Sequence, residues 1–295
     1  MEKEQGVPHP GAYRGHKETG AQPFAQKDVE DKRAGRGVFQ KRPSFVLRSS
    51  KPGEREEKIL RDAGKILLSP PAKEKFAPDP SFKLDAFRRR EIWGNLNPLV
   101  IEIGSGQGEQ VEWAASRFKN LNFLALEVFP QGVAHTVRRL KARGIENARI
   151  LQADAFRFFS SNLIPNSVFE VWSFFPDPWP KMKHHRRRLI SEDFAPRVAS
   201  ALVPGGHWRI ATDDSDYALQ IHEVLDAFPG LENMGSVAVE LPLMHFGKGN
   251  RDLQASAPKG KFFQAERFED RTLTSFEKKG MEAGRQIYDF DYEKI

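Results

Sequence analysis

The sequence predicts an α/β protein with a Rossmann-like, doubly wound and mostly parallel sheet of seven strands. From residue 99 onward, short apolar runs alternate with amphipathic helical stretches, a pattern that builds a parallel sheet covered by helices on both faces. A glycine-rich turn at residues 104–108 directly follows the first apolar run, as it does in nucleotide-binding sheets. The 295 residues are 39% hydrophobic, which is enough for a substantial core.

The chain is expected to consist of two parts. Residues 1–42 are rich in Gly, Pro, Gln, Lys and Glu and poor in aliphatic residues, so we expect a disordered N-terminal extension. Residues 43–295 are expected to form a single domain that begins with a basic, helical arm. Helical periodicity covers residues 54–68 and 82–93, and prolines between them force a non-helical connection.

The alternating part of the chain predicts five strands and four helices. The strands are expected at residues 99–103, 122–128, 149–152, 168–174 and 206–212, and the helices at residues 109–118, 131–143, 187–202 and 215–228. Residues 235–241 and 285–292 are two further candidate strands at one sheet edge. Residues 247–271 read as a polar loop with no assigned structure.

Composition excludes several kinds of site and partner. The absence of cysteine excludes disulfides, thiolate metal sites and a cysteine nucleophile. No apolar run approaches the roughly 20 residues of a membrane-spanning helix, and the N-terminus lacks the apolar core of a signal peptide. We therefore expect a soluble, cytoplasmic protein without a membrane partner. The net charge of +6 favours a polyanionic partner.

The glycine-rich turn has a spacing that distinguishes between ligands. Gly104, Gly106 and Gly108 supply the positive φ angles and the close ligand approach that a strand-to-helix turn needs. In the fingerprint of NAD-binding proteins the third glycine would stand at the position of Glu109, so the spacing argues against a dehydrogenase. The three glycines alone would also fit an ordinary tight turn.

Three acidic residues lie at the ends of successive predicted strands. Glu102 could face the cationic amino-acid part of a donor, Glu127 could accept protons from a ribose diol, and Asp154 would lie near an adenine amino group. Each of them alone could be a helix cap or a surface charge. Together at one sheet edge they are hard to explain as caps, and the pattern resembles the S-adenosylmethionine site of class I methyltransferases, in which direct methyl transfer would need no metal.

The segment after the fourth predicted strand carries the most specific motif. In Pro176-Asp177-Pro178-Trp179-Pro180, three prolines end the strand and form a stiff loop, hereafter the proline loop, which holds Asp177 beside the donor site. Residues 181–188, hereafter the basic run, follow directly. Cations at a helix start oppose the helix dipole, so we expect this run to contact RNA phosphates through Lys183, Arg186, Arg187 and Arg188.

These motifs resemble two nested families. Residues 99–212 look like the class I S-adenosylmethionine-dependent methyltransferases, and residues 43–292 resemble the bacterial tRNA (guanine-N7-)-methyltransferases. The closer resemblance rests on Ser44-Phe45-Val46-Leu47-Arg48, Glu102-Ile103-Gly104, Leu126-Glu127-Val128, the proline loop with its basic run, Ala211-Thr212-Asp213, and Thr274-Ser275-Phe276-Glu277.

The resemblance implies a reaction. The methyl group of S-adenosylmethionine would pass to N7 of guanine 46 in the tRNA variable loop and leave S-adenosylhomocysteine, with tRNA as partner and no protein partner evident. It also implies site roles. The donor would be bound by Glu102, Gly104, Gly106, Gly108, Glu127, Asp154 and Asp177, with Asp177 also the catalytic group, and the substrate by Lys181, Asp213, Thr274, Ser275, Phe276 and Glu277.

Alternatives remain at this point. Thr274 and Glu277 also fit a capping box, and Asp213 fits an N-cap before Ser215. A methyltransferase acting on an exocyclic base amine or a protein amide, or a non-catalytic RNA-binding protein on the same fold, would share much of the pattern. Guanine N7 attacks with an in-plane lone pair and needs only compensation for the positive charge of the product, which a carboxylate such as Asp177 would supply.

Overall fold

The computed structural model of the chain describes residues 43–46, 52–242 and 259–295. These residues belong to one compact unit, Lys41–Ile295. The expected extension at residues 1–42, residues 47 and 48 of the first motif, and residues 247–258 of the polar loop lie outside the described residues.

From Leu99 to Asp226 the strands and helices alternate as predicted, with Ala155–Ser161 as an additional helix that was not predicted from the sequence. The strands are β1 (Leu67–Leu68), β2 (Ala72–Glu74), β3 (Ala77–Pro78), β4 (Leu99–Ile103), β5 (Asn122–Glu127), β6 (Ala148–Gln152), β7 (Val168–Phe174), β8 (Leu202–Thr212), β9 (Leu231–Asn233), β10 (Val237–Pro242), β11 (Lys259–Gln264) and β12 (Tyr288–Lys294). The helices are α1 (Glu54–Arg61), α2 (Ala86–Trp93), α3 (Glu109–Arg117), α4 (Pro130–Ala142), α5 (Ala155–Ser161), α6 (Ala195–Ala201), α7 (Ser215–Asp226) and α8 (Ser275–Glu282).

The central sheet confirms the doubly wound fold. Within the described residues its strand order is β1-β6-β5-β4-β7-β8-β12-β9. The first six of these strands are parallel, and β12 runs antiparallel to both β8 and β9. The strand order reverses between β4 and β7, and a doubly wound sheet binds its ligand at that point, outside the carboxyl ends of the strands. The predicted number of seven strands was wrong by one, because the two-residue strand β1 extends the edge beside β6.

Apolar residues bury both faces of this sheet. Every residue of β4 and β5 is buried, as near-continuous apolar strands of a covered parallel sheet should be. One face packs against α3 and α4 through residues such as Val111 and Val137. The other face packs against α5, α6 and α7 around Phe158, Phe194 and Trp208. The strand ends are thereby held rigidly.

Two predicted helices before the sheet are shorter than expected. The helix expected at residues 54–68 ends at Arg61, and Gly64, with a left-handed φ of +56°, begins a separate 3₁₀ helix, Gly64–Ile66, that leads into β1. The helix expected at residues 82–93 begins at Ala86, where the side chain of Asp85 accepts a hydrogen bond of 2.8 Å from the Arg88 N–H.

The helix expected at residues 187–202 was wrong over its first half. Met182–Arg187 forms a 3₁₀ helix, and α6 begins only at Ala195. Pro196 lies in the first turn of α6, where its fixed φ angle favours helix initiation and its missing N–H costs nothing. The basic run is therefore separate from α6.

The strand expected at residues 235–241 does form, but not at the edge of the central sheet. β10 pairs antiparallel with β11 in a separate two-stranded sheet. The place beside β12 is taken by β9, which ends before a turn in which the Asn233 side chain accepts from the Gly235 N–H at 2.8 Å. Part of the polar loop is thus a strand, and the strand expected at residues 285–292 is observed as β12.

Candidate functional site

Two adjoining pockets open at the carboxyl ends of β4, β5 and β7. The first pocket has a volume of about 270 Å³, and its wall includes Glu127, Ala153, Ala155 and Asp177. The second pocket has a volume of about 300 Å³ and is lined by Glu102, Ser105 and residues that precede and begin α8. Gly104, Gly106, Phe174 and Phe175 line both pockets, so these four residues form the boundary between them.

The glycine turn adopts the conformation that its sequence predicts. Gly104, Gly106 and Gly108 have φ angles of +75°, +54° and +73°, which favour glycine. The Gly104 N–H donates to the Leu126 carbonyl at 2.8 Å, so the turn is fixed against the end of β5. A Cβ atom at Gly108 would lie 2.9 Å from Cα of Thr136, and α4 therefore leaves no space for a side chain there.

Glu102 is a buried carboxyl group with no cationic partner among the described residues. Only 5% of Glu102 is exposed, the residue lines the second pocket, and its Oε2 atom has no hydrogen-bond partner in the described part of the chain. Burial and the nearby Glu127 carboxylate raise the pKa of Glu102 to about 8, against the opposing effect of the Val111 N–H. Placing a positive charge in this pocket would restore the carboxylate form.

Glu127 is buried at the end of β5 and is held by backbone donors. Its Oε2 atom accepts from the Gly106 N–H at 2.7 Å, and its Oε1 atom accepts from the Val128 and Phe129 N–H groups at 2.7 and 2.9 Å. Burial raises the pKa of Glu127, and the Asp177 carboxylate adds to this effect while the three N–H groups oppose it. A carboxylate has about four acceptor positions, so about one remains for a ligand hydroxyl group.

These features fit a ligand that carries a positive charge and a polar sugar. Glu102 Oε2 and Ser105 Oγ are buried polar atoms that have no hydrogen-bond partner in the described ranges, and both residues line the second pocket. Buried polar groups are rarely left unsatisfied unless a ligand or water completes them. A Cβ atom at Gly132 would lie 2.6 Å from the Gly106 carbonyl and 3.0 Å from Glu127 Cγ, so the wall behind the turn is closely packed. The pockets are therefore preformed for such a ligand.

Asp154 lies beside the first pocket as a helix cap. Its Oδ1 atom accepts from the Phe156 N–H at 2.8 Å and caps α5. Its neighbours Ala153 and Ala155 line the first pocket, whereas Asp154 itself is 7% exposed. The capping alternative is thus observed, and it is compatible with the expected role near an adenine.

The proline loop, which contains Asp177, has a strained backbone conformation. Phe175 and Trp179, on either side of Asp177, have φ angles of +55° and +49°, which are unfavourable for aromatic residues. The Trp179 indole N–H donates to the Ser44 carbonyl at 2.9 Å, and Ser44 and Phe45 line the first pocket. Asp177 is exposed to solvent while it lines this pocket. The N-terminal segment thus closes one wall of the site.

The basic run presents most, but not all, of its cations to solvent. Lys181, Lys183 and Arg186 are exposed, and the Arg187 guanidinium lies 4.9 Å from the centre of the Trp179 ring. Arg188 is the exception, since its side chain is 1% exposed and hydrogen-bonded to protein groups. The expected phosphate contact of Arg188 is therefore corrected, because its guanidinium already has buried partners.

The second pocket is closed on its far side by the start of α8. Thr274, Ser275 and Phe276 line it, and the Phe276 ring lies 5.2 Å from that of Phe175. Ser275 donates from its N–H and its hydroxyl group to the Glu109 carboxylate at 2.9 and 2.6 Å, which joins α8 to the first turn of α3. The structure thus brings these three predicted residues to the glycine turn.

Glu277 does not line either pocket, and half of the expected capping box is wrong. Thr274 Oγ1 accepts from the Glu277 N–H at 3.2 Å, as a cap should. The Glu277 carboxylate, however, is fully buried and accepts from Arg267 and Arg271 instead of reaching back to Thr274. Arg271 also pairs with Asp289. The buried guanidinium of Arg271 attracts this carboxylate more strongly than the exposed helix terminus does.

Asp213 follows β8 and forms an ion pair with Arg285. The alternative that Asp213 caps the next helix is wrong, because Asp214 is the N-cap of α7 and accepts from the Tyr217 N–H at 2.8 Å. Arg285 also lies 5.7 Å from the centre of the Phe276 ring, at the border of the second pocket. Arg285 thus links Asp213 to Phe276, one of the predicted substrate residues of α8.

Sequence reasoning did not assign several residues that build the site. Ser44 and Phe45 line the first pocket, and Glu109, Gln110 and Arg271 line the second. The motif around Ser44 was a signal for the first two. Arg271 had none, because its partners Glu277 and Asp289 become visible only in the fold.

The described residues contain neither a membrane-spanning helix nor a cluster of metal-ligating side chains. Of the helices in the described ranges, none has the length and the apolar character needed to span a bilayer. Nowhere in those ranges do three or more His, Cys, Asp or Glu side chains converge as metal ligands.

Comparison with known proteins places the chain in a family. The family model described as "Putative methyltransferase" matches residues 96–245. A "tRNA (guanine-N(7)-)-methyltransferase" of Bifidobacterium longum subsp. infantis is 48% identical over 253 residues, which cover 85% of this chain and 88% of that protein. Proteins of the same name from Bifidobacterium longum and Paenarthrobacter aurescens are 45% and 38% identical, over 94% and 88% of this chain and 97% and 93% of their own lengths. The chain belongs to the tRNA (guanine-N(7)-)-methyltransferase family of enzymes.

Proposed function

We propose that the protein transfers the methyl group of S-adenosylmethionine to N7 of guanine 46 in the tRNA variable loop and releases S-adenosylhomocysteine. The observation that carries this proposal is that the site combines two environments of opposite charge. Glu102, a buried carboxyl group with no cationic partner among the described residues, lines one pocket, Asp177 lines the adjoining pocket, and the exposed cations of the basic run follow Asp177 along the chain. We assign the reaction to residues 43–295, taken as one domain.

The donor half of the site follows from the charge of the ligand. S-adenosylmethionine supplies an electrophilic methyl group on a sulfonium centre and also carries an ammonium group. Glu102 would accept from that ammonium group and, with Ser105, gain the partner that it lacks in the free protein. Glu127 would accept from a ribose hydroxyl with its remaining acceptor position. Asp154 would lie on the adenine side, next to Ala153 and Ala155.

The acceptor half would hold the guanine beside the aromatic boundary of the two pockets. Phe175 and Phe276 offer ring faces for a flipped-out base, and stacking of this kind contributes about 1–3 kcal/mol per base. The lone pair of N7 would form the bond to the methyl carbon while the carbon–sulfur electron pair leaves with sulfur. No proton moves, and the purine ring gains one positive charge. The Asp177 carboxylate would compensate that charge.

The exposed cations of the basic run would bind the tRNA backbone. Lys181, Lys183 and Arg186 follow the proline loop within ten residues of Asp177. Each phosphate that they neutralise releases counterions, so affinity would fall as salt rises. We assign the substrate side to Lys181, Asp213 and the start of α8.

The decisive experiment locates the methyl group. The protein is incubated with labelled S-adenosylmethionine and unmodified tRNA, and the digested RNA is analysed for 7-methylguanosine by mass spectrometry. A transcript with adenosine in place of guanine 46 serves as the matched control. Label in 7-methylguanosine that disappears with this transcript is expected. Label on an exocyclic amine, or label that persists in the control transcript, would reject the proposal.

A further inference from the structure

Arg188 differs from the other cations of the basic run in its environment. Its side chain is 1% exposed, whereas Lys181, Lys183 and Arg186 are exposed. A guanidinium at this degree of burial must be hydrogen-bonded and charge-compensated to be tolerated. Its partners therefore indicate what the side chain does.

The hydrogen-bond partners of the guanidinium connect the proline loop to α7, and Oδ1 of Asp214, the N-cap of α7, lies 4.0 Å from its Nη2 atom. Nε donates to the Pro178 carbonyl at 2.7 Å. Nη2 donates to Asp216 Oδ2 at 2.5 Å, and Nη1 donates to Gln220 Oε1 at 2.8 Å. The guanidinium carbon also lies 4.8 Å from the centre of the Tyr217 ring. One end of this group thus holds the residue next to Asp177, and the other end holds the first turns of α7.

The proline loop needs such a contact because its own backbone offers few. Pro176, Pro178 and Pro180 have no N–H group, so this segment cannot be held by a regular ladder of backbone hydrogen bonds. Trp179 also has an unfavourable positive φ angle, which persists only when the surroundings impose it. Arg188 supplies a charged donor to the carbonyl of Pro178, the residue that directly follows Asp177.

Further hydrogen bonds fix the chain after Arg188 to α7. Beyond Arg188, the Ile190 N–H donates to Tyr217 Oη at 3.0 Å, and Gln220 Nε2 donates to the Ile190 carbonyl at 3.1 Å. Tyr217 is itself fully buried in the core. Ile190, two residues after the end of the basic run, is therefore attached to the same two turns of α7 that hold Arg188.

We propose that Arg188 is a positioning residue for methyl transfer, which sets the place of Asp177 by fastening the Pro178 carbonyl to α7, and that it does not contact RNA. The inference rests on the proposed function, in which Asp177 is the group beside the acceptor base. A lysine cannot replace this arginine, because one ammonium group lacks the planar set of donors that reaches Pro178, Asp216 and Gln220 together.

The test compares Arg188→Lys with Arg186→Gln, a change at an exposed neighbour in the same run. Three quantities are measured: the single-turnover rate at saturating donor and tRNA, the affinity for tRNA at several salt concentrations, and the affinity for S-adenosylmethionine. Arg188→Lys is expected to lower the rate about 30-fold, since a displacement of about 1 Å at a reacting centre can cost that much. Its salt dependence of tRNA binding should equal that of the wild type. Arg186→Gln should show the opposite pattern, with weaker tRNA binding and a smaller salt slope.

A wild-type rate for Arg188→Lys, or a reduced salt slope like that of Arg186→Gln, would overturn the inference. Should Arg188→Lys not fold, Gln220→Leu takes its place, since it removes the anchor of Nη1 on α7, together with the Gln220 contact to the Ile190 carbonyl, and keeps the contact to Pro178. This variant is expected to transfer about threefold more slowly with an unchanged salt slope, and a wild-type rate would contradict the proposal. The rate ratio to wild type can be measured for whichever tRNA atom is methylated, so it is independent of the mapping of that atom.

Discussion

The carboxyl groups on the two sides of this site have opposite environments. On the donor side, Glu102 and Glu127 are buried, and neither forms an ion pair within the described residues. On the acceptor side, carboxylates are paired with arginines: Asp213 with Arg285, Asp216 with Arg188, and Glu277 and Asp289 with Arg271. Within the described residues, the carboxyl groups of the donor side are thus not neutralised by protein cations, whereas the carboxylates of the acceptor side are neutralised by arginines.

The difference matches the charges of the two proposed ligands. Unpaired buried carboxyl groups are unfavourable in the free protein, but a cationic donor converts them into charge-assisted hydrogen bonds. On the acceptor side the internal ion pairs leave Lys181, Lys183 and Arg186 as exposed net charge for a polyanion. Asp177, which lines the first pocket and precedes the basic run, stands at the border of the two sides.

The largest effect is expected at this border. Asp177→Asn keeps the size of the side chain and removes its charge, so the positive charge on the methylated ring loses its compensation. We expect the single-turnover rate at saturating donor and tRNA to fall about 100-fold. Rapid-quench assays with labelled donor measure this rate.

Glu146→Gln is the matched control, because it removes an exposed carboxylate outside both pockets. Its rate should equal that of the wild type. A wild-type rate for Asp177→Asn would reject the electrostatic role and leave Asp177 as a structural residue of the proline loop.

The donor side was more predictable from the sequence than the acceptor side, for a physical reason. Glu102 and Glu127 lie in or at the end of apolar strands, so the strand pattern and the glycine turn together place them at one sheet edge. The local spacing also identified the positive φ angles at Gly104, Gly106 and Gly108.

The acceptor side depends on contacts that are distant in the sequence. Arg186 and Arg188 are chemically identical neighbours, and only Asp216 and Gln220, some 30 residues further on, make one of them a buried anchor. Glu277 satisfies the capping pattern, yet Arg271 binds its carboxylate. Local patterns carry no information about such competition.

Glu102→Gln should give the second largest effect, on donor affinity. Replacing the carboxylate by a neutral amide removes a charged hydrogen bond, which is expected to cost roughly 2 kcal/mol, or about 30-fold in affinity measured by calorimetry. In the wild type the pKa of Glu102 is about 8, so below pH 8 a proton must leave before the donor binds. The affinity should therefore rise with pH up to about 8 in the wild type and stay flat in Glu102→Gln.

The same substitution should stabilise the free protein at high pH. The raised pKa of Glu102 means that the folded state holds a proton that the unfolded chain has released between about pH 4.5 and 8, so stability falls as pH rises through this range. Above pH 8 the wild type carries the full penalty, and Glu102→Gln should melt at least about 3 °C higher in differential scanning calorimetry. Equal melting temperatures of the wild type and Glu102→Gln at pH 9 would contradict a destabilising buried carboxylate at Glu102.

A smaller loss of donor affinity is expected for Glu127→Gln. The amide nitrogen would face one of the backbone N–H groups of Gly106, Val128 and Phe129, so at least one of these contacts is lost. We expect affinity for S-adenosylmethionine to fall about tenfold in calorimetry, with tRNA affinity unchanged. Unchanged donor affinity would remove Glu127 from the donor site.

The smallest effect is expected on the exposed side of the comparison. Lys183→Gln removes one solvent-exposed cation from the basic run, and a phosphate contact of this kind contributes only a few-fold to tRNA affinity. The slope of log affinity against log salt concentration should fall by about 0.7 to 0.9, while the single-turnover rate at saturating tRNA stays within about twofold. Fluorescence titrations at several salt concentrations measure the slope. Arg90→Gln, which removes an exposed cation of α2, is the matched control for net charge and should leave the slope unchanged. Equal slopes in both variants would show that the basic run binds RNA no more specifically than the rest of the positively charged surface.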